Sequence, residues 1–418
     1  MLRIKTNRLK ILTIWLIVLW YACLKIFMPM LLVNLVSLLL YFVGVLYFFN
    51  KIIKEGISKF DYAIFLITII YPIVSAIQSN IIFNQPVLVG IASFRGILVI
   101  FLYYYFRSCI KPNELIDIII KYQYWIMLLS FILLYCFHID NAVLSNLKPD
   151  VEGYSLTGTV EGTNELRGLR LTIGSMFTML CLSVWTSRLY ILNKGKKVAV
   201  INILLIIIYL LFVHKGRSAL AVSVIMLILP LLYHLSIKNL LKVITCAILV
   251  FVILMVIPSI RDRFLVVYDL FGNTQTQGTG DFSGVARLEE ILLAIDLIKD
   301  HPFLGVGNLS YHYNNGFIGY FNEHFYVGDI GIFGLLLVGG VFVFILYIFL
   351  FKTALAHAKY YNFGSVKYLI VKNLCVYYII TPFFGGNAIW DEPSILPFVF
   401  LLTEPSRLIY NKNENILS

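Results

Sequence analysis

Apolar runs of about 20 residues recur along this chain of 418 residues and decide what it can fold into. An apolar helix of that length spans the hydrocarbon core of a bilayer, where only helices and closed barrels satisfy their backbone hydrogen bonds. The strict alternation of apolar and polar residues that marks a barrel strand is missing from the sequence. Hydrophobic residues make up 60% of the chain and charged residues only 13%. The sequence therefore predicts an all-α, polytopic integral membrane protein.

The apolar windows predict about 12 transmembrane helices in a single domain that covers residues 1–418. They lie near residues 11–28, 30–49, 60–80, 87–106, 118–137, 168–190, 198–213, 218–235, 243–260, 330–351, 367–385 and 394–410. A basic flank precedes the first window, and no small-residue cleavage site follows it, so we interpret it as a retained span.

Lysine and arginine residues are distributed unevenly over the predicted connections. With the N-terminus inside, about two thirds of the 33 Lys and Arg residues fall on the inner side, as the positive-inside rule requires. Both termini are therefore predicted to be cytoplasmic. The net charge of +11 follows from this topology, and without a nucleic-acid-binding motif we expect no nucleic acid partner.

Two predicted outer loops are long, one over residues 138–166 and one over residues 261–329 between helices 9 and 10. The second contains the tract FGNTQTQGTGDFSG, whose Gly, Thr and Gln residues cannot form a packed core. Such a tract suits a lid over a lipid-linked substrate. An ordinary surface loop would have the same composition, so both interpretations stay open.

The second loop also contains an amphipathic segment, ARLEEILLAIDLIKD, which predicts a helix along an interface that ends at His301-Pro302. The predicted apolar face consists of Leu288, Ile291, Leu292, Ile295 and Ile298. The predicted polar side consists of Arg287, Glu289, Glu290, Asp296 and Lys299.

Positive charge on the predicted outer side is unexpected for this topology. Lys215 and Arg217 lie in a short connection, Arg167 and Arg170 lie at the mouth of a span, and Arg287 begins the loop helix. The planar guanidinium group pairs with phosphate oxygens through two hydrogen bonds. These residues therefore predict a site for a diphosphate headgroup, although an arginine that anchors a helix end at the membrane surface would have the same placement.

Arg95 differs from these residues because it falls inside the predicted span 87–106. A charge at that depth costs at least about 2.5 kcal/mol. We therefore expect Arg95 to face a cavity or a partner and to contact substrate.

His324 is the candidate base. Its imidazole titrates near neutral pH, so it can accept a proton from a sugar hydroxyl. Gly328 and Gly331 follow four and seven residues later, which places them on the same face if a helix already begins there. A hydrogen-bonded surface histidine is the alternative interpretation.

Metal binding is the weaker hypothesis, because the sequence has no HxxxH or HExxH spacing. Its ligands would be drawn from His301, His312, His324 and Asp329. The six cysteines lie in or beside apolar runs and form no CxxC pair, which predicts buried thiols. We expect no metal and no cofactor.

Three segments resemble the family of O-antigen polymerases and O-antigen ligases, and together they cover roughly residues 200–345. HKGRSALAVSVIML resembles the family's arginine before a small-residue span. VARLEEILLAIDLIKDHPFLGVG resembles its arginine-led helix with a Pro-x-Leu-Gly-x-Gly turn. EHFYVGDIGIFG resembles its His-Asn segment before a Gly-x-x-Gly helix start, except that Phe325 replaces the asparagine.

The resemblance implies inverting, metal-independent glycosyl transfer from an undecaprenyl-diphosphate-linked oligosaccharide at the outer face of the bacterial cytoplasmic membrane. Arg217 and Arg287 would hold the diphosphate, and His324 would orient or deprotonate the acceptor hydroxyl. Glycan or phosphate contacts would come from Arg95, Arg167, Arg170 and Lys215. The implied partners are membrane lipid, a flippase and a chain-length regulator.

A polymerase accepts a second lipid-linked repeat unit, whereas a ligase accepts lipid A-core. We favour the polymerase because the first half of the chain has no recognisable ligase feature. A lipid-linked oligosaccharide flippase or other transporter is the alternative from another class. It predicts internal repeats and charges along a midplane path, whereas these charges gather at one surface.

Overall fold

The computed structural model describes residues 12–24, 28–133, 175–192, 195–214, 217–232, 241, 245, 282–321, 325–384, 389 and 393–404. Across these residues the regular secondary structure is helical, with no strand, and the predicted all-helical fold is confirmed for them. The predicted outer loop 138–166 and nearly all of the predicted span 243–260 lie outside the described residues.

The described residues form a series of helices. They are α1 (Met30–Glu55), α2 (Lys59–Phe83), α3 (Val87–Ser93), α4 (Arg95–Cys109), α5 (Pro112–Phe131), α6 (Ser175–Ile191), α7 (Lys196–His214), α8 (Arg217–Leu232), α9 (Phe282–Asp300), α10 (Gly316–Tyr320), α11 (Ile332–Leu355), α12 (Val366–Ile380) and α13 (Leu396–Thr403). A π-helical turn, Trp20–Leu24, precedes α1.

Four of the described helices, α1, α2, α7 and α11, are long and apolar enough to span a bilayer. The bent pair α3 and α4 makes a fifth if it counts as one span. The predicted spans at α6, α8 and α12 are described over 17, 16 and 15 residues, and residues 168–174 and 233–235 of the first two predicted spans lie outside the described residues. These apolar helices indicate a multi-pass membrane protein. The number of 12 spans and their sidedness stay predictions.

The predicted span 87–106 is not one continuous helix. It bends by 49° between α3 and α4, at Phe94, whose ψ of 4° leaves the α-helical region. The buried Phe94 ring packs edge-on against Tyr71 of α2 at 5.2 Å. Arg95 therefore lies at a bend with an exposed side chain, and its contact with substrate stays a prediction.

The centre of the core lies around α11, which contacts α2, α9 and α12. Tyr347 and Phe351 of α11 are fully buried. The Tyr347 hydroxyl donates a 2.5 Å hydrogen bond to the Tyr378 carbonyl of α12, and the Phe351 and Tyr378 rings stack at 5.3 Å. Cys181 and Cys375 are buried thiols, as predicted.

Ion pairs join the helix ends at one end of the bundle. Ser58 caps α2, and its hydroxyl accepts a hydrogen bond from the Asp61 amide. The buried Asp61 carboxylate pairs with Lys51 of α1 and accepts a 2.8 Å hydrogen bond from the Tyr104 hydroxyl of α4. A buried carboxylate is stable only with such partners, so this cluster fixes the relative position of three helix ends.

Arg107 extends this cluster. Its guanidinium group pairs with Glu55 at 2.8 Å and with Glu404, which directly follows α13. The sequence predicts Lys51 and Arg107 of this cluster to lie on the cytoplasmic side. The structure brings them together, so the opposite ends of these helices also lie on a common side.

Candidate functional site

The loop helix α9 runs from Phe282 to Asp300 and ends before His301-Pro302, as predicted. The face that it buries is shifted from the predicted one, of which Ile291, Ile295 and Ile298 are half-buried. Glu290 is only 3% exposed, whereas Leu292 is 66% exposed. The helix packs against α11 along a face that contains Glu290 and the fully buried Ala294, four residues apart. The small Ala294 side chain allows close helix packing, which the count of large apolar residues did not reveal.

Glu290 lies among charged groups in a buried position. Burial and, to a smaller extent, the nearby Asp329 carboxylate raise the pKa of its carboxyl group to about 7. The Tyr326 amide donates a hydrogen bond to the carboxyl group, and the Arg287 charge also favours the ionised form, so both limit the rise of the pKa. Oε2 of Glu290 has no hydrogen-bond partner in the described chain. A carboxyl group that changes charge near neutral pH therefore lies beside Arg287.

The turn after α9 inserts into a kink of α11. Val306 is fully buried, and its amide donates a 2.7 Å hydrogen bond to the Leu337 carbonyl. On the other side of the kink, at Gly340, the Val341 amide donates to the Pro302 carbonyl at 2.9 Å. Residues 302–307 therefore satisfy backbone groups that the broken helix leaves free.

Glycine is required where this turn approaches the helices. Gly305 has a φ of 65°, and a Cβ atom there would lie 2.5 Å from the Leu337 carbonyl oxygen. Gly307 has a φ of 79°, and its Cβ atom would lie 2.2 Å from the Ser75 carbonyl oxygen. The Gly-x-Gly sequence thus places the turn between α11 on one side and α2 on the other.

Asn308 connects this turn to the first half of the chain. Its amide donates a 2.9 Å hydrogen bond to the Ser75 hydroxyl of α2. Its side-chain nitrogen Nδ2 donates a 3.1 Å hydrogen bond to the Ser93 hydroxyl of α3. Ser93 is two residues before Arg95, so the turn is held at the bend where that arginine emerges.

Gln85 completes the connection from a fully buried position. Its Nε2 donates to the Asn308 carbonyl at 3.0 Å and to the Ser79 hydroxyl at 2.9 Å. Its Oε1 accepts a 2.7 Å hydrogen bond from the Ser310 amide. Gln85 lies between Asn84, whose left-handed conformation ends α2, and the start of α3. One side chain in a helix connection thus binds two backbone groups of a loop more than 200 residues away.

Aromatic side chains support the segment that follows His324. Phe325 is 1% exposed, and its ring lies 4.4 Å from that of Phe321 and 6.0 Å from that of Phe317. Phe317 also contacts Phe83 at the end of α2. The residue that replaces the family's asparagine is therefore a packing residue in this chain.

The glycines after His324 do not lie on a helix. Residues 327–331 form turns, and α11 begins only at Ile332, after Gly331 with a φ of 52°. The predicted common helix face of Gly328, Gly331 and the imidazole is therefore wrong, because the positive φ of Gly331 interrupts the helical backbone before α11 starts.

The predicted site residues are described to different extents. Arg287 and Arg95 are exposed. Arg217 is the first residue of α8, and its side chain lies outside the description. The remaining candidates, His324, Lys215, Arg167 and Arg170, lie outside the described residues. The proximity of His324, Arg217 and Arg287 therefore stays a prediction.

The structure shows no group of three His, Cys, Asp or Glu side chains suited to a metal ion within the described part of the chain. His301 and His312, two of the weaker metal candidates, are described residues. The third histidine of that hypothesis, His324, is not among them.

Comparison with known families adds an independent observation. Residues 201–348 match the family model described as O-antigen ligase. This stretch is similar to the O-antigen polymerase and ligase family. The predicted resemblance is thereby confirmed over nearly the range that the three motifs cover. Comparison with curated proteins gives no significant match.

The O-antigen ligase match contains Arg217, Arg287 and His324 in the expected order. It indicates a glycosyltransferase-like membrane enzyme of surface polysaccharide synthesis, either a polymerase or a ligase. It does not extend to Gln85 or Ser93, which hold the turn in place from the first half of the chain.

Sequence reasoning missed several polar residues around the turn and α9. They are Ser75, Gln85, Ser93, Glu290 and Asn308. The sequence contained a signal only for Glu290. The small Ala294, one helical turn later, gives the side of α9 that contains Glu290 a position at which another helix could pack closely. The others are isolated polar residues, and only the fold brings them together.

Proposed function

We propose that the protein polymerises undecaprenyl-diphosphate-linked repeat units into O-antigen or a capsule-like polysaccharide at the outer face of the cytoplasmic membrane. The family match over residues 201–348 carries this proposal. The position of α9 gives further support, since the helix that carries Arg287 leads directly into the turn fixed between α2, α3 and α11.

In the proposed reaction, Arg217 and Arg287 bind the diphosphate of the donor through paired hydrogen bonds. They stabilise the negative charge that forms on it as the anomeric C–O bond breaks. His324 accepts the proton of the acceptor hydroxyl, whose oxygen attacks the anomeric carbon from the opposite face. The products are the extended glycan on the acceptor lipid and a free lipid diphosphate.

The acceptor end of the proposed site lies near the bend between α3 and α4. The exposed Arg95 side chain follows Ser93, which is hydrogen-bonded to Asn308. Arg95 would contact glycan hydroxyls or phosphate there, and Arg167, Arg170 and Lys215 are proposed to contribute further contacts. The proposed partners are the lipid-linked oligosaccharide, membrane lipid, a flippase and a chain-length regulator.

The second candidate is an O-antigen ligase, because the matching family model carries that description. The two functions share the donor chemistry and differ in the acceptor. Transfer to lipid A-core would need no second lipid-linked repeat unit.

Deletion of the gene in its host, followed by a glycan size ladder and mass spectrometry of lipid-linked glycans, tests the proposal. Loss of a polymerase leaves single repeat units on the final acceptor. Loss of a ligase leaves bare lipid A-core and an accumulated lipid-linked polymer. An unchanged ladder with impaired movement of another solute contradicts both functions and indicates a transporter.

A further inference from the structure

Glu290 is a buried carboxyl group that the proposed reaction does not use. It lies three residues after Arg287, so both side chains project from neighbouring positions on α9. Arg287 is exposed and Glu290 is 3% exposed. The two residues therefore form the outer and inner parts of one helix face.

Glu290 is also bound to the turn that follows His324 in the sequence. The Tyr326 amide donates to the Glu290 carboxyl group, and the Tyr326 carbonyl accepts a 3.0 Å hydrogen bond from the Asp329 amide, which closes the turn 326–329. The turn thereby brings the Asp329 carboxylate close enough to repel an ionised Glu290. In the described chain, the charged groups that act on Glu290 are Arg287 from its own helix and Asp329 from the packed turn.

We propose that Glu290 is a positioning residue whose charge controls how well Arg287 binds the lipid diphosphate, an inference that rests on the proposed donor site. When Glu290 is neutral, the Arg287 guanidinium group is available to the anionic ligand. When Glu290 loses its proton, the new carboxylate attracts Arg287 and repels the diphosphate. Burial and the Asp329 charge keep Glu290 neutral below about pH 7, so affinity falls as the pH rises through this value.

Binding and protonation are linked in both directions. A diphosphate bound at Arg287 brings negative charge near Glu290 and raises the pKa of its carboxyl group further. Donor binding above neutral pH should therefore take up a proton at Glu290. Each phosphate of a glycosylated lipid diphosphate carries one charge over this range, so the ligand itself does not titrate.

The test measures binding of a synthetic farnesyl-diphosphate-linked glucose to the full chain in nanodiscs, from about pH 6 to about pH 8.5. We expect the wild-type Kd to rise about threefold to fivefold over this range, because ionised Glu290 competes with the ligand for Arg287 and a partly exposed ion pair has about this strength. Glu290→Gln, which is always neutral, should keep the low Kd throughout. Glu289→Gln removes a charge from the adjacent exposed position and should keep the wild-type profile.

Asp329→Asn gives a second test that leaves Glu290 in place. Removal of the Asp329 charge lowers the pKa of Glu290, so the rise in Kd should move to lower pH. If Glu290→Gln fails to fold, the Kd profile of Asp329→Asn alone tests the inference. Identical Kd profiles for wild type and Asp329→Asn, or for wild type and a folded Glu290→Gln, overturn the inference.

Glycan transfer is measured separately on the same preparations. Wild-type transfer without a Glu290-dependent Kd profile overturns the inference and leaves the proposed function intact. The expected Kd profile without any transfer supports the role of Glu290 at a diphosphate site and contradicts the proposed enzyme.

Discussion

Replacement of Gln85 by alanine should release the turn 302–310 from the first half of the chain. The Gln85 side chain is fully buried and forms three hydrogen bonds with the turn and α2. Alanine leaves the Ser310 amide and the Asn308 carbonyl without their partner. Ser310 is 6% exposed, so water cannot easily replace the lost bond.

Each buried backbone group that loses its partner costs about 1–3 kcal/mol. Two such groups give a total of about 2–6 kcal/mol for the docking of the turn. The remaining hydrogen bonds, from Val306 to α11 and from Asn308 to Ser75, stay in place. We therefore expect a cost near the lower end of this range. A loss of about 2 kcal/mol corresponds to roughly 30-fold more frequent opening of the turn.

Hydrogen exchange of the backbone amides, followed by mass spectrometry in detergent or nanodiscs, measures this opening directly. The amides of residues 306–310 should exchange roughly 30-fold faster in Gln85→Ala, while α11 keeps its protection. Gln78→Ala provides the matched control, since Gln78 lies on α2, seven residues before Gln85, with a half-buried side chain. Equal exchange of residues 306–310 in wild type and a folded Gln85→Ala protein would refute the reasoning.

Three further predictions concern the turn and the proposed reaction. Gly307→Ala should destabilise the turn, as measured by thermal unfolding, by several times the cost of Gly364→Ala, which is about 1 kcal/mol. Both glycines have a positive φ, but only Gly307 has backbone atoms within 4 Å of the added methyl group. Equal costs would contradict the close approach. Arg217→Lys and Arg287→Lys should each lower transfer at least about tenfold, because ammonium cannot replace the guanidinium fork; wild-type rates from both would remove the diphosphate assignment. His324→Ala should abolish glycan extension at normal membrane levels of protein, and a normal size ladder would exclude it as the base.

The helical class followed from the sequence because long apolar runs leave few alternatives in a bilayer. The end of α9 at His301-Pro302 was also predictable, since proline cannot continue the helix. The bend at Phe94 was not predictable, because the apolar window 87–106 extends on both sides of it and Arg95 alone does not indicate a bend. The backbone there changes direction where the Phe94 ring and the Ser93 hydroxyl contact other helices, and composition contains no information about such contacts.

Candidate site residues could be named from the sequence only where chemistry and local pattern coincide. Arginines on the predicted outer side could be singled out because the positive-inside rule disfavours them there. Glu290 was assigned to the polar side because helical periodicity weighs side-chain size and polarity, whereas the partner surface selects the face with the small Ala294. A buried carboxyl group is acceptable there because the Tyr326 amide and the Arg287 charge both interact with it.

The contacts of the turn indicate that the two halves of the chain have different roles. The family match begins at residue 201 and includes the turn, yet the turn's polar partners Ser75, Gln85 and Ser93 all precede it. Donor chemistry shared across the family would therefore depend on a position fixed by helices outside the matched region. Because Ser93 lies at the bend that presents Arg95, a substitution there would displace the turn and the predicted glycan contact together. Differences in acceptor choice can thus arise in the first half without any change to the arginines that we propose to bind the diphosphate.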